Sequence, residues 1–180
     1  MAEHGVLNKY DAQILLAVIY RREKRPEDAI PLLKEAAAQF PRNYLFRLEQ
    51  VQMYSDAGDK ASALRVLNEV DGLRAAQASG FKNLPAEKIK YLRGNLLFWY
   101  GDVSPALAEM EYVTAKADEL DLNTAVLAWL RLGQLYDLQG KHTEAVRAYR
   151  ETMKTAPESP AANEAKNYIS SPYKRKSSAA

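Results

Sequence analysis

The sequence predicts an all-α protein, a solenoid of stacked helical pairs. Three observations carry that expectation. Four stretches align on a ruler of about 34 residues, with the same residue character in the same columns. Glycine recurs at one turn position of that ruler. Proline follows the second helix of the first and last stretches, at Pro41 and Pro157.

The ruler sets four units: Tyr10–Asn43, Tyr44–Gln77, Glu87–Leu120 and Val126–Ser159. Ala29, Ala63, Ala106 and Ala145 hold one column in the predicted second helices. A small side chain there lets two helix backbones approach closely. Leu33, Leu67, Met110 and Tyr149 follow four residues later, then Ala36, Val70, Val113 and Thr152. Tyr20, Tyr54, Leu97 and Tyr136 share a column in the first helices and fill the hairpin interior. The turn column holds Lys24, Gly58, Gly101 and Gly140. Glycine can take positive φ and end a helix. No single hairpin buries its apolar faces alone, so the units must stack.

Residues 1–9 are an N-terminal lead. Residues 10–77 hold the first two units. Residues 78–86 are an insert that Gly80 and Pro85 make a loop or an extra turn. Residues 87–159 hold the last two units, with Asp121–Ala125 between them, where Asp121 or Asn123 caps the following helix. Either insert can instead lengthen a neighbouring helix. Ser159–Pro160 reads as an N-cap followed by proline at the first helical position, opening a capping helix over residues 160–169. Residues 170–180 are polar and basic and are expected to be disordered.

The last unit carries Trp129, Leu132, Gly133 and Tyr136, then Gly140, Ala145, Tyr149 and Pro157. This spacing resembles the tetratricopeptide repeat. The resemblance covers about residues 10–159 and is weakest in the third unit. It implies a right-handed superhelix of antiparallel helix pairs. It also implies a non-catalytic scaffold or adaptor that holds a protein or peptide on its concave face. Family groove positions place Lys88, Tyr91, Asn95, Arg131 and Gln134 as peptide donors. Asn and Gln pair with backbone amides, and Arg with a carboxylate. Chaperone-binding members of the family clamp a terminal carboxylate with Lys and Asn from successive repeats. Here Ile14, Val18 and Glu49 stand where donors are needed, which argues against a chaperone adaptor.

Composition narrows the function further. With 25 basic and 23 acidic residues the net charge is +2, which gives no reason to expect a nucleic-acid or membrane surface. The short basic run Lys174-Arg175-Lys176 is a weak patch. There is no cysteine, and His4 and His142 are the only histidines, so no metal site or cofactor is expected. No phosphate loop, nucleophile elbow or zinc motif occurs, and no catalytic residue is assigned. His142 reads as an isolated surface histidine. The first ten residues lack an apolar signal region, and no apolar run reaches the roughly 20 residues of a membrane span, so the chain is expected to be cytoplasmic.

Two stretches are more apolar than a hairpin needs. In Leu96–Tyr100 the surplus aromatics are expected to lie under the insert, through Phe81 and Leu84. In Ile14–Ile19 the helix is apolar nearly all round, although a terminal repeat normally turns a polar face outward. Residues 1–9 cover that face by packing back on it, or a second copy does so through Ile14, Val18 and Ile19, or earlier repeats once did. The alternative reading is therefore a self-associating module, with a homodimer through the first repeat, or a piece of a longer array.

Overall fold

The computed structural model describes residues 2–175, with side chains from Ala12 onward. It is all-helical, and the chain divides into two compact units, Met1–Leu84 and Pro85–Ala180. The boundary falls inside the expected insert.

The first unit holds α1 (Ala2–Arg22), α2 (Pro26–Gln39), α3 (Tyr44–Asp56) and α4 (Lys60–Ala75). Each packs on the next. The second holds α5 (Ala86–Tyr100), α6 (Val103–Thr114), a 3₁₀ turn (Ala117–Glu119), α7 (Leu122–Leu138), α8 (His142–Thr155) and α9 (Pro160–Ser170). Here too each α-helix packs on the next, and α7 also touches α5 and α9 directly. No helix among the described residues is long and apolar enough to cross a membrane.

Helix starts follow the side-chain caps. Asn43 accepts from the Leu45 amide at 3.0 Å, and Asp59 from that of Ser62 at 3.0 Å. Asp121, not Asn123, caps α7 through Thr124 at 2.9 Å. Ser159 caps α9 through Ala162 at 3.1 Å, with Pro160 at the first helical position. Such caps satisfy amides that have no partner within the helix.

The repeat columns are the core. Ala29, Ala63, Ala106 and Ala145 are all fully buried, as are Leu67, Met110 and Tyr149 in the next column. Val70, Val113 and Thr152 follow them. Thr152 satisfies its hydroxyl by donating to the Ala148 carbonyl one turn back. The turn column is left-handed throughout: φ is 59° at Lys24, 80° at Gly58, 88° at Gly101 and 73° at Gly140. Lys24 holds this conformation with a Cβ, at a cost of about 1 kcal/mol. Its neighbours hold it there: the Lys24 amide donates to the Arg21 carbonyl at 3.1 Å and the Arg25 amide to that of Tyr20 at 2.8 Å.

Two sequence expectations are corrected here. Residues 2–9 do not fold back on the first unit, because α1 runs unbroken from Ala2. And Phe81 is buried against Tyr44 of α3, at 6.5 Å between ring centroids, inside the first unit.

α1 leaves much of its apolar face uncovered. Ala17 is buried, and Ile14 packs on Ala36, Ala37 and Phe46. Ile14 thus serves the hairpin interior. Val18 and Ile19 are exposed, together with Leu15, which is 64% exposed.

Candidate functional site

Helices α5, α7 and α9 lie side by side in the second unit, and their shared face carries most of the expected groove residues. Arg131, on α7, is the centre. Its Nε donates to Asn95 Oδ1 at 3.0 Å, and a terminal nitrogen donates to Gln134 Oε1 at 2.7 Å. Its guanidinium stacks 3.9 Å from the Phe98 ring centroid and 4.9 Å from that of Trp99. The pairing is local in each helix. Gln134 stands one turn beyond Arg131 on α7, and Asn95 and Phe98 stand one turn apart on α5. Burial draws the guanidinium below its ordinary value, although arginine keeps its charge in proteins.

The other two expected donors lie apart from this network. Lys88 Nζ donates to Thr124 Oγ1 at 2.6 Å and pairs with Asp121 at 3.5 Å, at the start of α7. It also lies 6.0 Å from the ring centroid of Tyr91. Tyr91, expected in the groove, is a core residue packed with Phe98, Met110 and Ala128. Gln134 is also buried, so its amide serves the network and is not an open donor.

Next to Arg131 lies a cluster the sequence analysis missed. The Asp137 carboxylate is fully buried. Its Oδ2 accepts from the Tyr149 hydroxyl at 2.6 Å and from the Tyr173 backbone amide at 2.7 Å. Its Oδ1 meets His142 Nδ1 at 2.6 Å, while His142 Nε2 faces the Ile169 carbonyl at 3.2 Å. His142 is therefore not isolated: it ties the start of α8 to α7 and α9. Burial first, then the bond to Asp137, pushes the Tyr149 phenol up, so it stays a donor.

The bond to Asp137 raises the His142 pKa above its ordinary value. A raised folded-state value stabilises below the unfolded value of about 6.5 and loses that contribution as pH climbs through the folded value. Thermal melts at pH 6 and pH 9 should show this loss in the wild type. In His142→Ala it should be smaller.

The stretch expected to be a disordered tail, residues 170–180, begins as structure. Ser170 ends α9. Pro172 cannot continue a helix and holds the residue before it extended. Tyr173 then packs on Phe98 at 5.8 Å and edge-on to Tyr168 at 5.3 Å between ring centroids. Arg175 donates to the Phe98 carbonyl at 2.6 Å and to that of Trp99. Phe98 is thus covered by Tyr173, Arg175 and Arg131. Residues 176–180 lie outside the described residues.

Two tetratricopeptide repeat family models match the sequence, over residues 20–79 and 127–159, together just over half of the chain. The chain is a tetratricopeptide repeat protein. Solved structures agree on the fold of this repeat protein. It is similar to the nearly identical TPR-like repeats of a Podosopora anserina protein assigned as a kinesin light chain. That match has 19% identity and a TM-score of 0.68, and covers 89% of this chain and 83% of that one. It is also similar to MamA, residues 41 to the end, from Desulfovibrio magneticus RS-1. The identity is 19%, the TM-score 0.61, and the coverage 90% and 92%. No curated protein matches the sequence. Residues 80–126, between the two matched stretches, include α5 and α6, yet Ala106, Met110 and Val113 of this tetratricopeptide repeat protein are fully buried like their counterparts.

Proposed function

We propose that the protein is a non-catalytic scaffold that holds a protein or peptide on the α5–α7–α9 face of its second unit. The observation that carries this reading is the positioning of Arg131. Asn95 and Gln134 fix its plane against Phe98 and take two of its five N–H donors. A pre-oriented guanidinium beside aromatic rings loses little entropy on meeting a ligand, and arginine with aromatic residues dominates binding hot spots. Tetratricopeptide repeats in general serve as interaction scaffolds, and the fold supports that use.

The bonds of Arg131 also change how the reading is tested. Removing Arg131 and Asn95 together would disturb packing on Phe98. Arg131→Gln keeps the aliphatic stem and a shorter, uncharged polar head, and is the better variant. Peptides selected from a displayed random library on the wild-type chain should bind Arg131→Gln about 10- to 100-fold more weakly, a loss of roughly 1–3 kcal/mol. Circular dichroism should be unchanged. Equal affinity for the two chains would remove this face as the site.

A second reading, self-association through α1, rests on the exposed Leu15, Val18 and Ile19. Sedimentation equilibrium decides it: a monomer over a wide concentration range excludes a homodimer there.

A further inference from the structure

The described chain ends in an extended segment that does not hang free. Ser171 has φ −136° and ψ 96°, so the backbone leaves α9 extended. Three contacts of different chemistry then hold it. The Tyr173 amide donates to the buried Asp137 carboxylate at 2.7 Å. The Tyr173 ring enters the aromatic group of Phe98 and Tyr168. The Arg175 guanidinium caps two carbonyls in the last turn of α5, where the helix dipole favours a cation. The buried anion and the aromatic slot both take Tyr173, and the helix C-terminus takes Arg175, two residues on. Lys174, between the two anchored residues, is exposed; Arg175 is exposed as well, and its guanidinium tip alone is held.

We propose that these sites together are a receptor for an extended aromatic-x-arginine peptide, and that Tyr173-Lys174-Arg175 is its resident ligand in cis. The proposal deepens the functional reading above by naming the ligand class of the same face. Phe98 belongs to both, since it carries Arg131 as well as Tyr173 and Arg175. An external ligand of this chemistry gains access by displacing the tail. The tail competes at the effective concentration of a short tether, of millimolar order.

The test uses the full chain and the full chain carrying Tyr173→Ala with Arg175→Ala. The probe is a fluorescein-labelled peptide of the sequence of residues 171–175, titrated to about 10 mM of unlabelled competitor, well above that tether concentration. The Trp99 indole N–H resonance reports whether the tail is seated, because Arg175 binds the Trp99 carbonyl and Phe98 stacks edge-on with its ring. The expected result is a shifted Trp99 resonance in the variant, restored toward the wild-type position by peptide. The variant should also bind peptide at least about tenfold more tightly than wild type. A peptide with alanine at both anchor positions should neither bind nor restore the resonance. Arg175→Ala alone should give an intermediate release.

An unchanged Trp99 resonance in the variant overturns the proposal at its first step, since the tail is then not seated, and leaves the Arg131 reading standing. A shifted resonance with no peptide binding overturns the receptor assignment itself. Equal affinity of both chains overturns the competition.

Discussion

Asp137→Ala is expected to destabilise the protein by about 3 kcal/mol in urea, with an unchanged denaturant slope. The carboxylate is fully buried and accepts from two donors besides facing His142. Removing it strands the Tyr149 hydroxyl, whose residue is itself fully buried. His142 fares better, because it is partly exposed and can turn to solvent. The loss should therefore be larger at pH 6, where His142 is charged, than at pH 9. Asp137→Asn preserves the shape but places amide protons against one of the facing donors, and should cost about half as much. A neutral or stabilising Asp137→Ala would mean that desolvation of the carboxylate outweighs its bonds, and that the cluster exists for something other than stability.

Gly133→Ala is expected to cost about 3 kcal/mol, although alanine is the better helix former by about 1 kcal/mol. A Cβ at position 133 would lie 2.3 Å, 2.5 Å and 2.9 Å from three Tyr149 ring carbons. Tyr149 cannot retreat, since its hydroxyl is bound to Asp137 and its ring packs on Tyr168 at 5.6 Å. Gly72→Ala in α4 is the control. It meets nothing within 4 Å, so helix propensity alone acts and the change should stabilise by about 0.5–1 kcal/mol. Opposite signs at two helical glycines would show that close approach, not backbone freedom, sets position 133. A double-mutant cycle with Tyr149→Leu should recover about 1–2 kcal/mol of the Gly133→Ala loss.

These positions show why the fold was legible. Gly133 and Tyr149 occupy repeat columns whose character follows from local periodicity, and the four alanines of the second helices are all fully buried. Each unit repeats the same solution, so four weak signals reinforce one another. The proposed face was legible only in part. Fixed columns on adjacent first helices bring Arg131, Asn95 and Gln134 to one face, where they bond to one another. Tyr91 belongs to the core instead, since its ring packs with Phe98 and Met110 inside the second unit.

By itself, then, the sequence determined the helical pairs, their turns and the residues that fill them, because those depend on contacts within a repeat or to the next one. Only the tertiary structure decided how residues 171–175 run and where Asp137 spends its charge. Arg175 binds backbone carbonyls 76 and 77 residues away, and such acceptors carry no side-chain identity for a sequence to display. Asp137 gathers a histidine and a phenol from α8 and a backbone amide from the segment after α9. In the sequence each of those partners is an ordinary polar residue. Burial in a shared, low-dielectric space makes them a unit.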